Sequence, residues 1–223
     1  QAVCSTGSVS ASPVQEALAH HRSEIVTAIG LNWLNGAAFY TVFVYLTTYL
    51  ASILKFPLGS ALLINTISMA FLGLLMPVMG ALSDKVGRKF MLVTGSLGLA
   101  VLSYPLFRLL THDTFEFILA GQLGFAVLIA IYFGPLPATI VELFPPRARC
   151  SGLSISYNLA LAVFGGTAPL VATYLIKETG NILSPSVYLI VSAIVSMIVA
   201  YRMPVPARSP SLRVSRFSHT TVD

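Results

Sequence analysis

Charged side chains cut this chain into six long windows that contain none. Asp, Glu, Lys and Arg are absent from residues 25–54, 56–83, 90–107, 117–141, 150–176 and 179–201. A helix that crosses the hydrocarbon core of a bilayer needs roughly 20 residues at a rise of about 1.5 Å each. Five windows reach that length outright, and the third, at 18 residues, does so by borrowing a flanking residue or tilting less. Charged residues are 9% of the 223, against roughly 25% in an ordinary soluble domain, so a soluble bundle would lack its ionic shell. Membrane strands would be about 10 residues long with alternating polarity, and Ser68–Gly80 and Val191–Ala200 show no such alternation. The expected fold class is therefore an all-α integral membrane protein with six transmembrane helices.

The few charges also predict an orientation. Arg22, Lys85, Arg88, Lys89, Arg147, Arg149, Arg202, Arg208, Arg213 and Arg216 fall on one side of a six-span thread, and only Lys55, Arg108 and Lys177 on the other. Lys and Arg in short loops stay in the cytoplasm, so both termini are expected there, in a multi-pass plasma (bacterial inner) membrane. The chain then divides into a cytoplasmic lead-in at 1–24, a six-helix bundle at 25–203 and a basic cytoplasmic tail at 204–223. The lead-in lacks the basic start and apolar core of a signal peptide. A chain that starts at Gln1 is expected to be a fragment of something longer. Cys4 and Cys150 have no metal-like or disulfide-framework spacing. No nucleophile–base pair, metal cluster or phosphate loop is present, so neither an enzyme nor a cofactor is expected. Nucleic-acid binding has no supporting motif either, and the lipid bilayer is the expected environment.

Spans are expected at about 25–50, 59–80, 90–109, 115–138, 151–175 and 185–203. In the first, Asn32, Asn35 and Phe39 recur at helical spacing. An amide in hydrocarbon is costly without a partner, so that face should look at other helices or an aqueous cavity. Pro77 should bend the second span, and the third, almost wholly apolar, suits a peripheral, lipid-facing position. Tyr132, Gly134, Pro135 and Pro137 make the cytoplasmic third of the fourth span irregular, while Gly165-Gly166 and Pro169 allow close contact and a bend in the fifth.

The sharpest local signal is Gly80-Ala81-Leu82-Ser83-Asp84-Lys85-Val86-Gly87-Arg88-Lys89-Phe90, where two spans must be joined by a very short turn. Gly80 and Gly87 allow close approach and unusual dihedrals; Asp84 can accept backbone N–H bonds or pair with a cation, and Arg88 and Lys89 can anchor the next helix. This block resembles the G-x-x-x-D-x-x-G-R-[KR] loop motif of the major facilitator superfamily. Glu142-Leu143-Phe144-Pro145-Pro146-Arg147-Ala148-Arg149 resembles the same family's E-x-F-P-x-x-x-R loop. Phe164-Gly165-Gly166-Thr167-Ala168-Pro169 and the connection from Thr179-Gly180-Asn181 to Pro185 look like its metabolite:proton symporter subfamily, which includes proline/betaine, citrate and α-ketoglutarate transporters. The order of these motifs matches the C-terminal six-helix half of a twelve-helix fold.

The resemblance implies a secondary active transporter, moving a small polar metabolite, carboxylate or zwitterionic osmolyte by proton symport with alternating access. Its partners would be a small organic solute, a proton and the missing N-terminal six-helix half. On this reading Asn35, Tyr40, Tyr132 and Asn158 line the substrate path, with Asn32 and Gln122 as weaker candidates; for each, helix packing with a local hydrogen bond is the alternative. Gly80, Asp84, Gly87, Arg88 and Lys89 form a conformational loop motif. Glu142, Pro145 and Arg149 form a second loop, with Glu142 and Arg149 as a helix-end pair or as simple anchors. No ionisable residue lies deep in a span, so the coupling carboxylate is expected in the missing half. The competing class is a non-transporting six-helix structural or assembly protein. The coding sequence upstream separates the two, since six more spans with a sister motif favour the transporter.

Overall fold

The computed structural model describes residues 22–146 and 149–203; the lead-in up to residue 21, the tail from 204 and Arg147–Ala148 lie outside the described residues. Six long apolar helices carry the fold: α1 (Arg22–Ile53), α2 (Leu58–Val86), α3 (Arg88–Leu110), α4 (Phe115–Leu143), α5 (Arg149–Thr179) and α6 (Pro185–Arg202). No strand occurs among the described residues. All six are long and apolar enough to cross a membrane, and helices that bond their own backbone suit a solvent that offers no hydrogen bonds.

Several helices outrun the charge-free windows. Asp84 and Lys85 lie inside α2, Glu142 inside α4, and Lys177 and Glu178 inside α5. Charge marks where hydrocarbon ends, whereas a helix continues into the headgroups wherever its backbone bonds are satisfied. The glycine–arginine motif is accordingly not a loop but two helix ends joined by Gly87 alone. Gly87 has φ 113°, ψ 126° and donates its N–H to the Ser83 carbonyl at 2.9 Å, a backbone shape that residues with a Cβ rarely adopt.

Three helices depart from regular α geometry. In α1 the hydrogen bonds widen to the i→i+5 pattern over Tyr40–Tyr45 and again over Tyr49–Ile53, and in α5 over Leu161–Gly165. In α4 the expected irregular third shrinks to a break at Gly134-Pro135, after which helix resumes at Leu136. Each proline there sits at or next to a helix start, where its missing N–H costs little.

Helix α1 packs against α5 and α6, α2 against α4, and α3 against both α4 and α6. The crossing of α2 and α4 is close enough to need glycine. A Cβ at Gly134 would lie 2.8 Å from the Gly80 nitrogen and 2.9 Å from the Met79 carbonyl carbon. The third span, expected to be peripheral and lipid-facing, presents an exposed apolar face at Leu97, Val101, Leu102 and Tyr104 and packs its other face against α4 and α6. Buried residues make up 39% of the apolar stretch of α3, but only 17% of that of α2 and 22% of that of α5. Gly95, Ser96 and Ser103 give α3 a small-residue face that is buried, a pattern that favours helix contact in membranes.

Because the obstacle at Gly134 is the backbone of α2, Gly134→Ala should lower stability by about 1–3 kcal/mol. Gly73→Ala, with nothing within 4 Å of the added carbon, should stay within about 0.5 kcal/mol. Thermal unfolding of the purified protein in detergent, followed by fluorescence, compares the two.

Candidate functional site

The amide face of α1 looks into a cavity of about 380 Å³, within the roughly 300–1,000 Å³ typical of small-ligand sites. Asn32, Asn35, Gly36, Phe39 and Tyr40 form its α1 wall, at the i, i+3, i+4, i+7, i+8 spacing of one helical face. Leu153, Tyr157 and Leu161 of α5 line the opposite side at i, i+4, i+8; Leu72 and Met76 of α2 and five residues of α4, Phe133 to Val141, complete it. No charged side chain lines the cavity. Its polar groups are the two amides and the hydroxyls of Tyr40 and Tyr157, set among aromatic and aliphatic surface.

The amides are linked to one another and to the helix. Asn32, fully buried, donates from Nδ2 to the Ala28 carbonyl at 3.0 Å, and Asn35 donates from Nδ2 to Asn32 Oδ1 at 3.3 Å. Tyr40 packs against α5, where a Cβ at Gly165 would come within 2.7 Å of its ring. The glycine lets the ring rest on the α5 backbone and so fixes the cavity wall.

The sequence-derived candidates divide. Asn35 and Tyr40 line the cavity, together with the weaker candidate Asn32. Tyr132 does not; it is wholly buried and its hydroxyl donates to the Leu31 carbonyl at 2.8 Å, tying α4 to α1. Asn158 is exposed on another face of α5 and donates to the Ser154 carbonyl at 2.8 Å. Neighbouring helical residues point about 100° apart, so when Tyr157 faces the cavity Asn158 cannot. That phase, set by Leu153 and Leu161, was the available signal for Tyr157. Gln122 also lies away from the cavity. Its Nε2 donates to Asn65 Oδ1 at 2.8 Å and to the Val42 carbonyl at 3.4 Å, while Asn65 Nδ2 donates to the Phe43 carbonyl at 3.1 Å. Both carbonyls belong to the widened Tyr40–Tyr45 turn, so amides from α2 and α4 occupy acceptors within it.

At the other end of α2, Arg88 joins the two motifs. Its Nη2 and Nε reach Asp84 Oδ1 at 3.0 and 3.2 Å, and its Nη1 reaches Glu142 Oε1 at 2.5 Å. Glu142 is thus paired with Arg88, not with Arg149 as a helix-end pair would have it: the α2–α3 joint folds back under α4 and brings the planar guanidinium between two carboxylates. Arg149 instead opens α5, and Pro145 is exposed just past the end of α4. Lys89 donates to the Met203 carbonyl at 2.7 Å and sits 5.7 Å from the Tyr201 ring centre, pinning α3 to the end of α6.

The sequence pattern of the Major Facilitator Superfamily matches residues 28–220, which takes in all six helices. The chain belongs to the major facilitator superfamily. It is 31% identical over 88% of its length to the glycine betaine/proline/ectoine/pipecolic acid transporter of Dickeya dadantii, and 32% identical over 83% to the proline/betaine transporter of Escherichia coli. A putative proline/betaine transporter of Staphylococcus haemolyticus is 34% identical over 79%. The matched regions cover 39%, 37% and 38% of those proteins, so the chain spans under two fifths of the curated relatives it matches. No solved structure gives a significant match. As a major facilitator superfamily member with six apolar spans, it is a multi-pass membrane protein of transporter-like architecture; no group of metal-ligating residues occurs among its described residues.

Gln122→Leu leaves Asn65 Oδ1 and the Val42 carbonyl without their donor in a region lipid cannot satisfy. A loss of about 1–2 kcal/mol is expected, read as a lower unfolding temperature in detergent or nanodiscs.

Proposed function

We propose that this chain is the C-terminal six-helix half of a secondary active transporter for small zwitterionic osmolytes, working by alternating access and proton symport. The cavity carries this reading. It lies between α1, α2, α4 and α5, and α2 and α5 are the two helices with the least buried surface. A second helical bundle laid on that face would close the cavity and cover both. Such a bundle agrees with relatives more than twice as long as the matched region. On this reading residues 1–24 form a central cytoplasmic connection and 204–223 a basic tail, with both termini in the cytoplasm of a bacterial inner membrane.

The lining favours a neutral zwitterion over a free anion. This half of the wall carries no cation for a net negative solute. A zwitterion needs apolar surface, rings that attract its cationic nitrogen, and a few neutral hydrogen-bonding groups. Phe39, Tyr40 and Tyr157 supply the rings, and Asn35, held by Asn32, the polar contact. The relatives' named solutes, among them proline, glycine betaine and ectoine, are zwitterions of this size. The charges among the described spans sit at helix ends, so the proton-coupling carboxylate is assigned to the opposite half. Asp84, Arg88 and Glu142 act apart from substrate: their ion pairs hold the α2–α3 joint to α4 in one access state and part in the other, with Gly80, Gly87 and Lys89 shaping and anchoring that joint.

Uptake by proteoliposomes that hold the full-length gene product tests the reading. Proline and glycine betaine should accumulate with an inward proton gradient and not without one, and Tyr40→Ala should raise the KM for glycine betaine about fivefold. Arg88→Ala or Asp84→Asn should slow uptake and shift the inward/outward distribution measured by spin-label distances. An unaltered distribution would refute the latch.

A further inference from the structure

The two cavity amides are not equivalent, and the backbone sets their polarity. The Ala28 carbonyl can only accept, so the 3.0 Å bond from Asn32 turns the NH₂ of Asn32 toward Ala28 and its oxygen toward Asn35. That oxygen in turn can only accept, which turns the NH₂ of Asn35 toward Asn32. Reversing either amide would set two acceptors face to face, so the usual ambiguity between amide oxygen and nitrogen does not arise here. The consequence falls on Asn35 Oδ1. It is directed away from Asn32, no described donor bonds to it, and Asn35 is only partly buried where it lines the cavity.

We infer that Asn35 presents a hydrogen-bond acceptor to the cavity and reads an N–H group on the cationic nitrogen of the solute, with Asn32 as the positioning residue that holds it. This rests on the zwitterion reading above and adds a chemical discrimination to it. A protonated secondary amine gives Oδ1 a charge-assisted hydrogen bond. A solute carboxylate has no proton to offer that oxygen and is directed elsewhere, toward the opposite half. A fully methylated nitrogen has no N–H either, and its attraction falls to the faces of Phe39 and Tyr40. The cavity therefore holds two kinds of cationic nitrogen with different side chains: Asn35 for N–H donors and the rings for methylated ones.

L-Proline and N,N-dimethyl-L-proline differ only at that nitrogen and serve as paired probes in proteoliposomes of the full-length gene product. In Asn35→Leu the KM for proline should rise about tenfold or more, while that for the dimethyl compound stays within about twofold. Asn32→Leu should move the same ratio in the same direction by a smaller factor, with the maximal rates of both solutes changed alike or not at all. Tyr40→Ala should move it the opposite way. Asn35→Ser, too small to crowd the cavity and too short to join the relay, must repeat the ratio change of Asn35→Leu. Equal loss of both solutes, or an unchanged ratio, in either Asn35 variant overturns the acceptor assignment while leaving the transport reading intact. A wild-type protein that takes up neither probe overturns the zwitterion reading and this inference with it.

Discussion

Helix α1 lends its backbone carbonyls to three other helices, and the bundle is assembled around that fact. Ser196 of α6 donates to the Gly30 carbonyl, Tyr132 of α4 to Leu31, Gln122 of α4 to Val42 and Asn65 of α2 to Phe43. In lipid, apolar side chains gain little by leaving one apolar surface for another. Directional bonds and close packing therefore carry more of the choice of neighbour, at about 1 kcal/mol for each bond. Helix α5 is joined by shape instead, with Gly165 admitting the ring of Tyr40. These contacts make α1 the most buried of the spans.

The same contacts leave a cavity on one side of α1. Tyr132 and Ser196 hold its first half to α4 and α6, so the face bearing Asn32, Asn35 and Tyr40 turns toward α5 and the open side. The widened turn over Tyr40–Tyr45 lies just beyond, with its Val42 and Phe43 carbonyls taken by amides from α4 and α2. This stretch of irregular backbone in α1 thus stays inside the bundle, where side chains can satisfy it. The asymmetry of burial follows: α3 and α6 pack together with α4 and α1, while α2 and α5 flank the cavity with their outer faces bare.

Much of this was legible in the chain, for reasons that can be named residue by residue. Charge is too costly in hydrocarbon to be scattered, so Lys55, Arg88, Arg108 and their like delimit the spans. The amide face of α1 was legible because Asn32, Asn35 and Phe39 repeat at the helical period and an unpaired amide cannot face lipid. Tyr132 and Asn158 misled for a related reason. A polar group in a span must meet something polar, but its type does not say whether that is a solute or a carbonyl one helix away. Glu142 and Arg149 looked like natural partners because they are near in sequence, whereas the guanidinium that reaches Glu142 is that of Arg88, brought under α4 by the one-residue joint at Gly87.

Sequence alone determined that the chain spans a membrane six times, because burying charge or an unsatisfied backbone group in lipid is prohibitive at any position. It left open which apolar helix faces which, since lipid and a partner helix are nearly the same solvent for leucine. Tertiary structure decided that α3 buries one face against α4 and α6 while α2 and α5 are barer, and that Tyr132 braces the bundle while Tyr157 faces the cavity. It also set the polarity of the Asn32–Asn35 relay. Each depends on the rotation of a helix about its axis, which is set by a handful of bonds to α1 and by the places where glycine lets two backbones meet.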